Sequence, residues 1–172
     1  MISVRKTIDA DGGAIRRLAS AEPLFSSDDR EVVAELLAEY LDEPVGGDYL
    51  FLSAVTDGAV VGFACFGPTP LTRGTYDLYW ICVARSHRRR GVGRALLRGV
   101  VRGVRREGGR LIVLDTSGKA AFAPTRAFYA RAGFKASACV PGFYGPGDDL
   151  VMYYLPVRRR SRPGGAGRRG RR

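Results

Sequence analysis

The sequence predicts an α/β protein built on a mixed, mainly antiparallel sheet flanked by helices. Three observations predict this class. Short runs rich in β-branched and aromatic residues alternate with runs of helical periodicity. Asp57-Gly58 joins two strand-like runs as a tight hairpin would. A strand–helix–strand series over residues 75–115 has the form of a right-handed parallel crossover.

The predicted elements follow the order β-α-α-β-β-β-α-β-α-β-β, with Gly and Pro between them. Ser26 or Ser27, followed by acidic residues, is typical of a helix N-terminus. Strands are expected over residues 2–7, 49–56, 59–66, 75–83, 110–115, 134–141 and 150–155. Helices are expected over residues 9–20, from Ser26 or Ser27 to Leu41, between Gly91 and Gly108, and over residues 124–132.

The helix after Gly91 divides into three arcs. Apolar side chains form one arc, arginines the next and small residues the third. We expect the apolar arc to face the core and the small arc to allow a neighbouring element to approach closely. In that order, the arcs are Leu96, Leu97, Val100, Val101 and Val104; Arg94, Arg98, Arg102 and Arg105; and Ala95, Gly99 and Gly103.

Composition indicates one soluble domain over residues 1–157 and a tail over residues 158–172. The tail holds eight of the 28 basic residues and no acidic residue, so residues 1–157 carry 20 basic and 17 acidic groups. Because it is rich in Arg and Gly and almost without apolar residues, the tail is expected to be disordered. It could be a solvating extension or make weak contacts with nucleic acid.

Membrane partners, disulfides and metal sites are not expected. No apolar run reaches the roughly 18 residues of a membrane span, and no secretory leader precedes the first strand, so we expect a cytoplasmic protein. Cys65, Cys82 and Cys139 are far apart and lack metal-binding spacing. The single histidine, His87, lies among arginines and is expected in a loop.

The stretch from Ile81 to Leu97 is the most informative part of the chain. A β-like run leads into four basic residues, then Gly91-Val92-Gly93, and then a helix. The first N–H groups of a helix have no partner within it, and together with the helix dipole they attract anions. Glycines allow a phosphate to approach the backbone, and arginines add charge-assisted hydrogen bonds. This stretch predicts a diphosphate site.

The spacing within this stretch excludes two common phosphate motifs. A Walker loop requires Gly-x-x-x-x-Gly-Lys-Ser/Thr, which does not occur in the chain. A dinucleotide-binding fingerprint requires a third glycine where the chain has Leu96. What remains is Arg88-x-x-Gly91-x-Gly93.

This pattern resembles the Arg/Gln-x-x-Gly-x-Gly/Ala signature of the GNAT superfamily of N-acetyltransferases, which bind the diphosphate of acetyl-CoA. A second motif, from Ala127 to Phe134, resembles the Leu/Phe-Tyr-x-x-x-Gly-Phe of that superfamily. The element order over residues 1–156 is also similar. The chain is therefore identified as a bacterial-type member of this superfamily with an acyl-CoA N-acyltransferase fold.

The resemblance implies direct transfer of an acetyl group from acetyl-CoA to a primary amine in a ternary complex, without a metal. The fourth strand would splay from the fifth, with its backbone along the pantetheine arm and the Val83 N–H as oxyanion donor. Phe122 departs from the pattern, because an Asn there usually contacts this arm. The residues expected to bind the cofactor are Ile81, Cys82, Val83, Arg88, Arg89, Arg90, Gly91, Val92, Gly93 and Arg94.

Two residues are expected to carry the chemistry. The resemblance makes Tyr129 the general acid, although it could be a core aromatic. Asp77 is the expected base, because an attacking amine must lose a proton and some relatives carry a glutamate at this position. Strand alternation predicts that Asp77 shares a face with Tyr79, Ile81 and Val83. Asp77 could equally be a strand-end residue that caps a turn or pairs with an arginine, and Asp115 and water remain alternative bases.

The acceptor is expected to be the amine of a small molecule such as an amino acid or antibiotic. Protein N-termini and lysines are alternatives. The variable loops expected over residues 21–48 and 140–149 are rich in acidic residues, which suits a cationic acceptor. The chain could be a monomer or a homodimer. A different class, an arginine-rich nucleic-acid-binding protein with a vestigial enzyme core, also remains open.

Overall fold

The computed structural model describes residues 1–43 and 47–157, and the tail that the sequence predicts over residues 158–172 lies outside the described part. The described strands are β1 (Ser3–Lys6), β2 (Leu50–Thr56), β3 (Ala59–Pro68), β4 (Thr75–Val83), β5 (Leu111–Ser117), β6 (Lys135–Gly145) and β7 (Asp148–Pro156). The α-helices are α1 (Gly12–Ser20), α2 (Ser27–Asp42), α3 (Val92–Arg106) and α4 (Ala123–Arg131). Short 3₁₀ turns cover Asp9–Asp11, Arg85–His87 and Ala120–Phe122.

The strands form one seven-stranded sheet in the order β1-β2-β3-β4-β5-β7-β6. β4 and β5 are parallel neighbours, and the other neighbouring pairs are antiparallel. The predicted class is confirmed, since the sheet is mixed and mainly antiparallel with helices on its faces. The crossover from β4 through α3 to β5 supplies the parallel pair.

Each face of the sheet has its own core. One core, which we call the α3 core, is built on the apolar arc of α3 and includes Leu96 and Val100, both 0% exposed, together with Tyr129 of α4. The other, the α1/α2 core, is built on Ile15 and Leu37, which are also 0% exposed. A side chain of β4 can thus be placed on one face or the other by the core it joins.

The small arc of α3 lies against the sheet. A methyl group on Gly99 would stand 2.9 Å from Val4 Cγ1, and one on Gly103 would stand 2.8 Å from Phe66 Cζ. The two glycines therefore let the helix backbone approach β1, β2 and β3, as the sequence predicted. The arginine arc is exposed, which leaves it available to solvent along the outer side of the helix.

A buried ion pair fixes the N-terminal part of the chain. Arg5 donates to both oxygens of Asp11, at 2.5 and 2.8 Å, and Asp11 is only 4% exposed. Burial alone would raise the pKa of Asp11, but hydrogen bonds from Arg5, the Ile8 N–H and Ser53 outweigh it and lower that pKa. This pair joins β1 to the turn before α1, away from β4.

The two segments expected to be variable loops are mostly regular structure. α2 occupies most of residues 21–48, and its N-terminus is capped as predicted, by Ser26 and Asp29 through bonds of 3.1 and 2.7 Å. Residues 140–149 belong largely to the β6–β7 hairpin. The sequence predicted that the strand ends at Pro141, but β6 continues to Gly145. Because β6 is an edge strand, the N–H that proline lacks can face away from β7, and no hydrogen bond of the sheet is lost.

Candidate active site

A wedge-shaped gap opens between β4 and β5. The two strands pair over only three positions, Thr75 with Leu111, Tyr76 with Ile112 and Asp77 with Val113. β4 then continues to Val83 and β5 continues to Ser117, but the two strands no longer pair with each other. We call residues 75–77 the closed half of β4 and residues 78–83 its open half. The open half presents a backbone edge that no strand covers.

A β-bulge at Tyr79 lies near the start of the open half. In the register with β3, Leu78 opposes Phe66 and Trp80 opposes Cys65, so Tyr79 has no partner of its own. An extra residue reverses the alternation of side chains beyond it. Tyr79 stands instead against Tyr49, with ring centroids 5.5 Å apart.

Because of the bulge, the prediction that Asp77 shares a face with Ile81 and Val83 is wrong. Leu78, before the bulge, and Ile81 and Val83, after it, all pack on the α3 core. Asp77 therefore lies on the α1/α2 side of the sheet, opposite Ile81 and Val83. Sequence alternation could not reveal this, because nothing in the run from Thr75 to Val83 marks the inserted residue.

The peptide group between Val83 and Ala84 shows which way the open edge points. The Ala84 N–H donates to the Val61 carbonyl of β3, at 2.8 Å. The Val83 carbonyl, on the other side of the same peptide plane, therefore points away from β3 towards the gap. Within a strand the N–H and carbonyl of one residue share a side, so the Val83 N–H also points into the gap.

The loop after β4 presents a helix N-terminus. α3 begins at Val92, and Gly91 precedes it in the left-handed region, with φ of +86°. No side chain caps its first turn. The Ala95 N–H donates to the Gly91 carbonyl at 2.9 Å, which is the first hydrogen bond of the helix. The N–H groups of residues 92–94 are thus directed at any anion bound beside the loop.

The two glycines of this loop have different roles. A methyl group on Gly91 would meet no atom within 4 Å, so the space above it is open. A methyl group on Gly93 would stand 3.1 Å from Phe128 Cζ, inside the protein. Gly91 provides the left-handed turn and the open approach, whereas Gly93 allows α4 to pack closely against the start of α3.

Arg88 is engaged within the protein. Its guanidinium forms an ion pair with Glu22, a residue 7% exposed between α1 and α2, and its Nε donates to the Val83 carbonyl at 3.2 Å. Sequence reasoning missed this partner, because the two residues are 66 positions apart. Arg89 and Arg90 are exposed, and Arg89 adopts a left-handed φ of +59°.

Tyr129 lies on the α3 side of the sheet and is 7% exposed. Its ring packs against Phe128, Phe134 and Tyr153. A tyrosine hydroxyl carries its proton at neutral pH, and burial raises the pKa of Tyr129 further. In the described part of the chain, the fully enclosed polar side-chain atoms without a hydrogen-bond partner belong to Arg30 and Thr56, and the Tyr129 hydroxyl is not one of them. It is both a core aromatic and a protonated hydroxyl.

Two carboxylates lie on the opposite face, at the apex of the gap. Asp77 accepts a hydrogen bond of 2.6 Å from Thr69. Asp115 follows Val113, the partner of Asp77, by two residues and so shares its face. Burial by the surrounding chain, and then the charge of Asp77, raises the pKa of Asp115, although its side chain still reaches solvent.

The acidic residues counted in the expected loops are partly committed to other contacts. Glu22 pairs with Arg88, and Asp29 caps α2. Asp148 accepts from Ser117 and Lys119, and Asp149 accepts from the Gly142 N–H at 2.9 Å. Asp77, a β4 residue paired with Val113 of β5, and Asp115, two residues beyond Val113, are carboxylates that the fold brings to the gap itself.

Two of the three cysteines, Cys65 of β3 and Cys82 of β4, lie in the α1/α2 core. Cys65 and Cys82 are buried, and burial raises the pKa of both thiols, that of Cys82 to about 12. Residues 1–43 and 47–157 contain no cluster of three or more His, Cys, Asp or Glu side chains placed to hold a metal ion. Nor does any helix in those ranges have the length and apolar character needed to cross a membrane.

The chain is similar to known acetyltransferases in sequence and fold. The sequence model of the acetyltransferase (GNAT) family matches residues 14–134. A crystal structure of a protein from Desulfovibrio desulfuricans, described as belonging to the GNAT family, is 43% identical, with a TM-score of 0.88, and the match covers 92% of this chain and 100% of that one. No curated protein sequence matches the chain.

More distant structures share the fold. The ribosomal-protein-S18-alanine N-acetyltransferase of Escherichia coli is 19% identical, with a TM-score of 0.74 and coverage of 97% and 98% of the two chains. A Salmonella typhimurium structure with acetyl-CoA as its cofactor is 21% identical, with a TM-score of 0.72 and coverage of 95% and 98%. At these identities the likeness is one of architecture.

Proposed function

The chain belongs to the GNAT family of acetyltransferases, and from this premise we propose that it transfers the acetyl group of acetyl-CoA to the primary amine of a small molecule. The observation that carries the proposal is the uncovered edge of β4 leading directly into an uncapped helix N-terminus. An extended chain ending in a diphosphate fits such a path, because the strand edge can bind amides and the helix can bind phosphates.

The cofactor would lie along the open half of β4, with its diphosphate at residues 91–94. Acetyl-CoA supplies an acetyl group activated as a thioester. The Val83 N–H, which points into the gap, is placed to donate to a carbonyl oxygen that gains negative charge. Gly91 leaves the approach to the helix N-terminus open, and the exposed Arg89, Arg90 and Arg94 add positive charge around it.

Tyr129 is proposed as the general acid. A tyrosine hydroxyl is protonated at neutral pH, so Tyr129 has a proton that it can donate to a leaving thiolate. Tyr129 lies on the α3 face of the sheet and Asp77 on the other face, so the proposed proton donor and proton acceptor are separated. This separation keeps the donor from passing its proton directly to the acceptor.

Asp77 is proposed as the base that accepts a proton from the amine, directly or through water. It lies at the apex of the gap on the α1/α2 face, and the Thr69 hydroxyl orients its carboxylate. Asp115 lies on the same face and is the alternative base. A pKa raised by burial and by Asp77 increases its affinity for a proton, which a base requires.

The transfer is proposed to be direct, without an acetylated enzyme. The buried cysteine nearest the open edge is Cys82, on β4 itself, and a thiol with a pKa of about 12 is almost entirely un-ionised at neutral pH. Such a thiol is a poor nucleophile. Acceptor and cofactor would therefore be bound together.

The acceptor face favours a cationic amine. Asp77 and Asp115 contribute negative charge, and the rings of Tyr79 and Tyr144, 37% and 49% exposed, stand on elements beside them. Burial, and then the charges of Asp115, Asp148 and Asp29, raises the pKa of Tyr144. Carboxylates and aromatic faces together attract ammonium groups. An aminoglycoside 6'-N-acetyltransferase, 17% identical, shares the fold.

The test is amine-dependent release of free thiol from acetyl-CoA across a panel of polyamines, amino acids, aminoglycosides and short peptides. We expect release with at least one cationic small molecule, with the acetylated amine detected by mass spectrometry. Release with peptides alone would replace the small-molecule acceptor by a protein acceptor. Absence of acetyl-CoA binding would contradict the whole proposal. Contact of the tail with nucleic acid stays a separate prediction.

A further inference from the structure

The connection between α1 and α2, residues 21–26, is joined to the loop at residues 88–94 by the ion pair between Glu22 and Arg88. Glu22 is 7% exposed, and its carboxylate binds the Arg88 guanidinium and accepts from the Leu24 N–H at 3.3 Å. Phe25, in the same connection, packs edge-on against Trp80 of β4 with ring centroids 5.0 Å apart. The connection thus contacts β4 and the loop after it.

Arg88 stands where three parts of the proposed site meet. Its guanidinium reaches Glu22 on one side and the Val83 carbonyl on the other, while its backbone continues into Arg89 and the left-handed Gly91. A cavity of about 310 Å³ lies beside this junction, lined by Leu18, Glu22, Cys82 and Arg88 among others. A change in Arg88 would therefore affect the last residue of β4 and the start of the phosphate loop together.

We propose that Glu22 is a positioning residue for acetyl-CoA, which it serves by holding Arg88 as a strut between the α1–α2 connection and the loop at residues 88–94. This inference rests on the proposed function. In it, Arg88 orients the Val83 peptide group and the loop, and the diphosphate is bound by the backbone N–H groups of residues 92–94. Because Glu22 neutralises the charge of Arg88, the Arg88 side chain does not bind the phosphate groups.

The chemistry of the pair supports this role. An arginine fork can bind a carboxylate and a carbonyl at once in fixed geometry, which a lysine cannot reproduce. The carboxylate is almost fully enclosed, so an unpaired charge there would be costly and the pair is held together. Arg88 keeps 41% of its side chain exposed, and its own backbone is that of the first residue of the loop that it would position.

A double-mutant cycle on acetyl-CoA binding tests the strut. The variants are Glu22→Gln, Arg88→Gln and the combination of both, with Kd measured by calorimetry on folded protein. We expect each single substitution to raise Kd about fivefold or more. Because both act through one contact, the double variant should bind no more than about twofold weaker than the weaker single variant.

Asp11→Asn is the matched control. Asp11 is a buried carboxylate paired with an arginine whose side chain is 39% exposed, against 41% for Arg88. Its side-chain contacts are with Arg5 of β1 and Ser53 of β2, and β3 stands between these strands and β4. The substitution should lower the melting temperature as Glu22→Gln does and leave the Kd for acetyl-CoA within twofold of wild type. That contrast separates positioning of the loop from general stability.

Two results would overturn the inference. A Kd unchanged or lowered by Glu22→Gln, with a Kd raised by Arg88→Gln, would make Arg88 a direct phosphate ligand that Glu22 merely restrains. Single effects that multiply in the double variant would do the same. If Glu22→Gln does not fold, Glu22→Asp replaces it with the same expected rise in Kd. Wild-type protein that fails to bind acetyl-CoA would overturn the proposed function as well.

Discussion

The closed and open halves of β4 belong to one strand yet meet different surroundings. Residues 75–77 pair with β5, and Tyr76 and Asp77 pair with β3 as well, whereas residues 78–83 have β3 as their one neighbouring strand and Tyr79 bulges out of that pairing. Tyr76 in the closed half is buried in the α3 core. The loss of strand pairing, more than any single side chain, creates the proposed site.

The largest expected effect contrasts two buried tyrosines of the α3 core. Tyr129→Phe removes the proposed proton donor and should lower kcat by roughly 10- to 1,000-fold, towards the lower end of what general acid–base catalysis contributes, with acetyl-CoA affinity preserved. Tyr76→Phe, a similar loss beside the closed half, should leave kcat within about twofold. Steady-state kinetics on both variants checks this. Equal effects would remove the acid role from Tyr129.

Asp77→Asn tests the apex of the gap. The rate should fall about tenfold near neutral pH, because Asp115 or water can replace the base only in part. It should recover towards wild type at high pH, where the amine has already lost its proton. The pH–rate profile is the measurement. A profile identical to wild type would transfer the role to Asp115, which Asp115→Asn would then reveal.

Gly91→Val should weaken acetyl-CoA binding about tenfold, or about 1.4 kcal/mol, because the side chain would cover the helix N-terminus and strain the left-handed turn. Gly108→Val is the matched control, since Gly108 also has a positive φ, +76°, and open space around it, at the other end of α3. Calorimetry should show a raised Kd only for Gly91→Val. The same Kd in both variants would contradict a phosphate site at residues 91–94.

Arg89→Gly should have the smallest effect. Arg89 has a left-handed φ of +59°, a conformation that costs a non-glycine residue about 1 kcal/mol. Glycine would remove this cost, but part of the gain in stability is lost because glycine makes the unfolded chain more flexible. We expect the free energy of unfolding to rise by about 0.5 kcal/mol and Kd for acetyl-CoA to rise only about twofold. A tenfold rise in Kd would make the Arg89 side chain a principal ligand.

The fold could be predicted from the sequence where local patterns decide the structure. The Asp57-Gly58 hairpin and the three arcs of α3 depend on neighbours within a few residues, and both are confirmed. The family motif likewise lies in one continuous stretch. These features need no knowledge of distant parts of the chain.

The site could be predicted only in part, because its geometry depends on contacts between distant segments. The bulge at Tyr79 arises from the register with β3, and the partner of Arg88 comes from the connection after α1. Alternation within β4 therefore gave the wrong face for Asp77. The roles of Tyr129, Asp77 and the loop residues stay predictions.

Amide hydrogen exchange, measured with and without acetyl-CoA, is the sharpest test of a cofactor bound along the open half of β4 and at the start of α3. We expect slower exchange at Ile81, Val83 and residues 92–94 when acetyl-CoA is added, since their N–H groups gain a partner. We expect little change at residues 75–77, which are already paired. Protection confined to other parts of the chain, with no change at Val83 and residues 92–94, would contradict this mode of binding.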